Sequence, residues 1–454
     1  MASTQPSSIK KLVIRGAIWT IAGYGASQIL RLGSNLILTR LLEPELFGLM
    51  ALVYTFFIGL NMFSDVGINI SIIQNKRGDD PDFLNTAWTI QVIRGFVLWG
   101  GCWLIAYPVA LFYDKPEFLW LLPTVGLSAV LAGFTSTALH TLNRHLAVKQ
   151  VALLEFLGQL FGTTVMIVWA WLAPSVFALV VGGLASAVFQ LAASYYFSGG
   201  KLNRFQLDPS AMREILSFGV WIFLSTAMTF LAERGDQIIL GKVLGLELFG
   251  IYVIAFTFAD LPRAVTLALS SKVLMPALSK IADQPRPEMR AKLNSQRKRI
   301  LFLLAVGLAI LAAFGDVLIR VLYDDRYLNA TWMLPILAIG IWPRLLCNMN
   351  EPALFAIGRP QYTAAANLSR FMFTAVGIWT GYSLLGLPGA VFGVALNDLG
   401  YYIAVNFGLR REGLSGIQQD LLATGLMFLL LILLSGIRAA LGFGTSIDQL
   451  FTMF

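Results

Sequence analysis

The chain has 454 residues, 57% of them hydrophobic and only 13% charged, against roughly 25% charged residues in a soluble globular protein. Its apolar runs, such as "FVLWGGCWLIAYPVALF" and "LLATGLMFLLLILLSGI", suit the ~20 residues of a membrane-crossing helix and lack the polar alternation of a barrel strand. The net charge of +8 comes without a basic stripe interleaved with aromatics, so it is read as cytoplasmic-loop charge and not as a nucleic-acid surface.

Thirteen spans are expected, near 12–39, 47–74, 85–111, 118–142, 150–172, 175–198, 214–240, 249–275, 300–320, 332–357, 361–385, 388–409 and 418–441. The polar opening "MASTQPSSIKK" precedes an apolar stretch too long for a signal-peptide core, so the first span is read as retained. That span carries Ser27, Arg31, Ser34 and Asn35, whose steps of three and four put them on one helical face. The second adds Asn61, Asp65 and Asn69 at steps of four. Arg94 in the third is expected to snorkel towards the cytoplasmic side. His140 and His145 are read as solvated or interfacial. Cys102 and Cys347 lie in apolar segments and give neither a disulfide framework nor metal spacing.

The seventh span carries Thr229, Glu233, Asp236 and Gln237, with Arg234 about 100° away from Glu233. The eighth adds Thr257, Asp260 and Arg263. Later spans hold Arg344, Glu351, Arg370 and Asp398, which with Glu155 either pair locally or line a second groove. Ionisable groups at membrane depth are costly, so each is a functional candidate. No P-loop, zinc-protease motif, nucleophile elbow or dinucleotide fingerprint is present, and no enzyme activity is expected.

The stretches "LEPELFGLMAL" (42–52) and "LGLELFGIYVI" (244–254) share Glu-Leu-Phe-Gly 202 residues apart. The same shift superimposes Trp19 on Trp221, Arg40 on Lys242, and the whole stripe of the first span on that of the seventh. Six intervening spans leave both copies in one orientation, which implies lobes related by an axis along the membrane normal. The expected fold is therefore an all-α integral membrane protein of two six-helix lobes, residues 1–200 and 201–410. A tail helix and short C-terminal segment occupy 411–454. Pro44 and Glu45 suit the first turn of a helix, so the repeated turn is read as structural. With the N-terminus inside, 20 loop Lys and Arg fall on the cytoplasmic side and 5 on the other, a strong positive-inside bias.

The opening "GAIWTIAGYGASQILRLGSNLILTRLLEPELFGLMAL", with "FSDVGINISIIQNK", "LNTAWTIQVIRG", "ALFYDKPEF" and "LNRHLAVKQVALLE", resembles the Wzx-type oligosaccharide flippases. These are polysaccharide transporters of the superfamily that also holds lipid II flippases and multidrug exporters. The resemblance covers about residues 10–410. It implies alternating access in the bacterial inner membrane, with a short oligosaccharide on undecaprenyl pyrophosphate carried outward for exopolysaccharide, capsule or O-antigen synthesis. Membrane lipids, a polysaccharide polymerase and export machinery are the implied partners. Arg31, Arg234 and Arg263 are then the groups to meet the pyrophosphate, with Ser34, Asn35 and Asn61 lining the same cavity. Three such cations face four carboxylates, Asp65, Glu233, Asp236 and Asp260. That imbalance makes the carboxylates candidate sites for a coupling proton or sodium ion, with no other cofactor or metal expected. Arg31 and Glu233, being equivalent positions, are expected to pair when the cavity is empty. The family usually shows twelve or fourteen spans, so the thirteenth is read as an added tail.

Two rival readings stand. One is a cation- or proton-coupled multidrug-type exporter using the acidic residues directly. The other is a membrane glycosyltransferase or polymerase on lipid-linked sugar, although the longest outer loop, "VLYDDRYLNATW", is short and its Asp324 and Asp325 are read as solvated. The orientation has a direct check: a cysteine at Gln296 should resist an impermeant thiol reagent in intact cells, and labelling there would reverse the topology.

Overall fold

The computed structural model describes residues 6–65, 67–145, 147–196, 202–216, 219–446 and 448. The first residues, Lys201 of the first polar connection and the last residues of the tail, 449–454, lie outside the described residues. Every regular element among the described residues is a helix. The chain divides into two compact units, Met1–Leu46 with Met50–Ala227, and Phe47–Leu49 with Met228–Phe454.

The first unit contains α1 (Pro6–Leu41), α2 (Pro44–Phe63), α3 (Ile68–Gln74), α4 (Pro81–Tyr113), α5 (Phe118–Gly133), α6 (Ala138–Arg144), α7 (Val148–Leu172), α8 (Val176–Tyr196) and α9 (Pro209–Leu216). Pro44 and Pro81 begin α2 and α4, where the missing amide hydrogen is no loss. Glu45 in the first turn of α2 also pairs with Lys115, Nζ to Oε1 2.6 Å. α4 packs on α5, α7 on α8, α1 on α7, and α5 on α8.

Two expected spans of this unit are broken. The second stops at Phe63 and restarts at Ile68 after Gly67, whose φ of 73° is left-handed. The fourth bends by 64° between α5 and α6. The segment 202–216, expected to open the second lobe, instead lies along α4. The Arg204 and Gln206 amides donate to Asn85 Oδ1 and Thr89 Oγ1, both at 3.0 Å. Arg77 reaches Asp208 at 3.1 Å. The Ser210 hydroxyl, with backbone amides and Arg77, holds the Asp208 carboxyl down at about 2, so this strap stays ionised above that pH.

α10 (Gly219–Val243) leads into the second unit: α11 (Gly245–Ala259), α12 (Leu261–Leu269), α13 (Met275–Ser279), α14 (Arg286–Leu322), α15 (Ala330–Gly340), α16 (Trp342–Ala356), α17 (Gln361–Ala395), α18 (Asn397–Arg411) and α19 (Ile417–Ala440). A π-helical turn at Ser270–Leu274 joins α12 to α13. α17 is a hairpin of two helices. It reverses at Gly386, with φ 63° and ψ −139°, a conformation that L side chains rarely adopt. Beyond it the arms meet glycine to glycine: a Cβ on Gly381 would collide with the Gly389 carbonyl oxygen, and one on Gly393 with that of Gly377. Small residues permit this close helix approach.

Among the described residues, eight helices are long and apolar enough to cross a membrane, or up to ten if each of two bent pairs is one span. The Gly386 reversal divides one of them, Gln361–Arg411, in two. α1 and α10 carry the polar stripes and, with 36 and 25 residues, are also long enough to cross. With these, all thirteen expected segments are helical.

The tail helix α19 is part of the second unit. It packs along α14 in parallel, tied by buried ion pairs at both ends: Arg297 to Asp420, and Arg438 to Asp316. The ties are 19 residues apart on α14, about 28 Å at 1.5 Å per residue, close to the ~30 Å hydrocarbon thickness. Truncating one partner of a buried pair leaves an uncompensated charge, whereas replacing both with apolar residues is often neutral. Asp316→Leu alone should therefore lose about 3 kcal/mol of unfolding free energy in detergent, while Asp316→Leu with Arg438→Leu should regain most of it.

Candidate functional site

In the first unit the broken helices surround a cavity of about 370 Å³, lined among others by Asn61, Asp65, Asn69, Gln91, Arg94, Thr135 and His140. Its walls follow from the breaks. A helix that stops inside a membrane leaves carbonyls without partners, and α4 supplies donors for both broken ends. Arg94 donates through Nε to Ser64 O at 2.9 Å and through Nη2 to Asn61 O and Oδ1 at 2.8 and 2.7 Å. Three residues earlier, Gln91 donates through Nε2 to Ala132 O, Gly133 O and Thr135 Oγ1 at 2.9, 3.1 and 3.1 Å. Arg94 is thus no snorkelling cation but the cap of α2. His140 is half-buried at the cavity wall: Nδ1 lies 3.1 Å from Asn69 Oδ1 and Nε2 3.4 Å from Gln91 Oε1. His145 does lie at the exposed end, 2.9 Å from Asp79. Asp65 is exposed and accepts the Gly67 amide at 3.0 Å. The cavity offers one cation, one carboxylate at its rim and several amides, groups suited to hydroxyl- and phosphate-bearing ligands.

The stripe of α1 is less committed. Arg31 is exposed, Asn35 is half-buried, and the Ser34 hydroxyl folds back on the Arg31 carbonyl at 3.0 Å. The Gln159 side chain donates to Ser27 O at 3.1 Å.

The second unit holds a denser charge network. Glu233 finds its cation within its own unit: Arg263 Nη1 is 3.6 Å away, and Arg263 also grips Asp260 through Nε and Nη2 at 2.6 and 3.0 Å. Glu233 therefore has a cation from α12 whatever Arg31 of the first unit does. Asp236 is buried and accepts the Tyr252 hydroxyl at 2.8 Å, with the charge of Arg370 acting on it. Arg370 itself pairs with Asp398 at 2.9 Å. Arg344 stacks over the Tyr401 ring at 3.7 Å, and the Tyr401 hydroxyl donates to Glu351. Of the residues left open between pairing and a groove, these four pair locally, and Glu155 is exposed. Arg234 is half-buried.

Five carboxylates, Glu233, Asp236, Asp260, Glu351 and Asp398, thus lie among four arginines, Arg234, Arg263, Arg344 and Arg370. Tyr252 and Tyr401 supply hydroxyls that reasoning from the sequence passed over, because apolar runs tolerate tyrosine without any charge signal. Among the described residues no group of three or more His, Cys, Asp or Glu could hold a metal ion.

A family profile described as "Polysaccharide biosynthesis protein" matches residues 37–331. The chain belongs to this polysaccharide biosynthesis family. The family resemblance read from the sequence blocks holds. The chain is 23% identical over 447 residues to the lipopolysaccharide biosynthesis protein WzxC of Escherichia coli (strain K12), covering 96% of this chain and 88% of that one. It is 23% identical over 355 residues to the succinoglycan biosynthesis transport protein ExoT of Rhizobium meliloti (strain 1021), covering 78% and 71%. Among solved structures, the inward closed lipid II flippase MurJ superimposes with a TM-score of 0.68 at 13% identity, covering 92% of each chain. That likeness shows that this member of the polysaccharide biosynthesis family has the transporter fold.

Removing a cap exposes the carbonyls that it satisfied. Arg94→Leu should cost about 3 kcal/mol of stability and Gln91→Leu about half as much, measured by unfolding of purified protein.

Proposed function

We propose that the protein flips an oligosaccharide carried on undecaprenyl pyrophosphate from the cytoplasmic to the periplasmic leaflet. The observation that carries this reading is family membership across most of the chain, shared with proteins named for lipopolysaccharide and succinoglycan biosynthesis. A fold in common with a lipid II flippase supports it. The protein is then a transporter and not an enzyme, set in the inner membrane with its N-terminus cytoplasmic, as the 20-to-5 loop bias favours. The 202-residue repeat supports two lobes about an axis along the membrane normal, each alternately exposing the polar faces of α1 and α10. The polymerase and export machinery are its expected partners in the pathway.

In this reading the exposed Arg31 meets the pyrophosphate, with Arg234 and Arg263 as further cations. An arginine fork holds phosphate oxygens bidentately, where lysine offers only a point charge. The five-to-four excess of carboxylates over arginines in this network, with Arg234 counted, supports coupling. A proton or sodium ion on Glu233, Asp236 or Asp260 relieves that excess, and Asp65 is the corresponding group of the first unit. The multidrug-type alternative is disfavoured by family membership, since the matching profile and the relatives are named for polysaccharide biosynthesis.

Export of polysaccharide by cells carrying variants tests the reading. Arg31→Ala should abolish export at normal membrane abundance, and Arg31→Lys should retain part of it. Glu233→Gln, Asp236→Asn or Asp260→Asn should weaken gradient-driven transport in vesicles while the protein still folds. Full export by Arg31→Ala would remove the arginine from the substrate path, and undiminished gradient response in all three neutral variants would end the coupling role.

A further inference from the structure

The N-terminal halves of α14 and α19 line a second cavity, of about 520 Å³, that the transport reading does not use. On α14 it is lined by Arg290, Asn294 and Lys298, which follow one another at four-residue steps and so share one helical face. Leu301 and Phe302 continue that face one turn further on. On α19 the order repeats: Gln418 and Gln419, then Leu422, Ala423 and Leu426. Because the two helices run in parallel, both polar ends lie at one level and both apolar stretches at the next. The result is a basic, amide-lined mouth above an apolar furrow. Leu301 and Ala423 form its buried floor, while Phe302 and Leu422 stand exposed beside it.

The level of the mouth is set by helix length. α14 has 37 residues, about 55 Å at 1.5 Å per residue, against ~30 Å of hydrocarbon. Its apolar part begins at Ile300, so the basic stem passes through the headgroup zone, with Lys298 at the inner edge and the Cα of Arg290 about 15 Å from the hydrocarbon. The furrow below then opens to the acyl chains.

The electrostatics of the mouth favour an anion. Asp420, in the first turn of α19, is already neutralised by the wholly buried Arg297. The partial positive charge of that helix N-terminus is therefore left for a ligand. Arg297 also leaves Nε and Nη1 without a hydrogen-bond partner. Its Nη1 lies just behind Gly416, which lines the cavity: a Cβ added to Gly416 would sit 2.6 Å from it and 2.8 Å from Asn294 Oδ1. The unbonded Oδ1 of Asn294 and Oε1 of Gln419 add acceptors for a hydroxylated headgroup.

We infer that this groove is a binding site for an anionic glycerophospholipid of the surrounding bilayer. Its phosphate sits between Arg290, Lys298 and the α19 N-terminus, its headgroup hydroxyls reach Asn294 and Gln419, and one acyl chain lies in the furrow over Leu301 and Ala423. Basic pockets between membrane helices hold anionic headgroups in this way. The bound lipid would brace the α14–α19 pair at the end where Arg297 and Asp420 join it.

Native mass spectrometry of the full-length protein tests this, with phosphatidylglycerol or phosphatidylcholine added to the detergent-purified chain. Wild-type protein should retain phosphatidylglycerol in preference to phosphatidylcholine. Arg290→Gln with Lys298→Gln, both on the exposed stem, should weaken phosphatidylglycerol retention by roughly thirtyfold at low salt, the loss of two basic contacts. Lys292→Gln with Arg299→Gln removes the same charge from the same stem outside the cavity and should leave retention within about twofold. Equal losses in the two pairs would mean diffuse attraction to the stem and overturn the site, as would no loss in either. Undecaprenyl pyrophosphate binding that falls in the Arg290/Lys298 pair while phosphatidylglycerol binding persists would give the groove to the transported lipid, and would also overturn the assignment.

Discussion

A carbonyl or a charge left without a partner in hydrocarbon costs several kcal/mol, and meeting that demand within the chain shapes most of this protein. Helix breaks are tolerated only where a neighbouring side chain satisfies the freed ends. α4 does this twice, with Arg94 closing α2 and Gln91 closing α5. The same demand pairs Arg263 with Asp260 and Glu233, Arg370 with Asp398, and Arg438 with Asp316. Where the two broken helices are capped, a polar cavity remains, so a structural repair and a candidate binding surface share their residues.

The two units solve the demand differently from a common plan. In the first, Gln159 of α7 bonds the Ser27 carbonyl of α1. In the second, Asn367 of α17 bonds the Thr229 hydroxyl of α10 at 3.3 Å, and Thr229 is the counterpart of Ser27 at the 202-residue shift. The packing contact is kept while the charge is not. The first unit presents Arg31 and a capping Arg94, and the second a carboxylate-rich network with tyrosine hydroxyls inside it. Such a division suits a transporter in which one half meets an anionic substrate and the other takes up a coupling cation.

The tail helix shows how charge placement and membrane thickness act together. Asp420 stands in the first turn of α19 and Arg438 in its last, where the helix dipole favours each sign. Their partners on α14 are separated by the depth of the hydrocarbon, which keeps both ion pairs near the interfaces. A helix tied in this way belongs to the second unit as firmly as those before it. Its parallel run beside α14 also agrees with three intervening crossings, given the reversal at Gly386.

Thirteen helical segments, the polar stripes of α1 and α10, the internal repeat and the family were legible in the sequence alone. Each depends on local quantities: apolar run length, a 3.6-residue period, or identity at a fixed shift. The sequence did not disclose that the second span breaks at Gly67, that Arg94 and His140 turn inward to the breaks, or that Arg263 lies beside Glu233. Nor did it show that Asp316, Asp420 and Arg438 matter, since each reads as an ordinary charge near a helix end until α14 and α19 are laid side by side. Those outcomes depend on which helix lies against which, and a buried charge takes the nearest partner that the packing brings to it. Composition and periodicity therefore determined what must be buried and where the chain must be helical, while the tertiary structure alone decided which groups satisfy one another there.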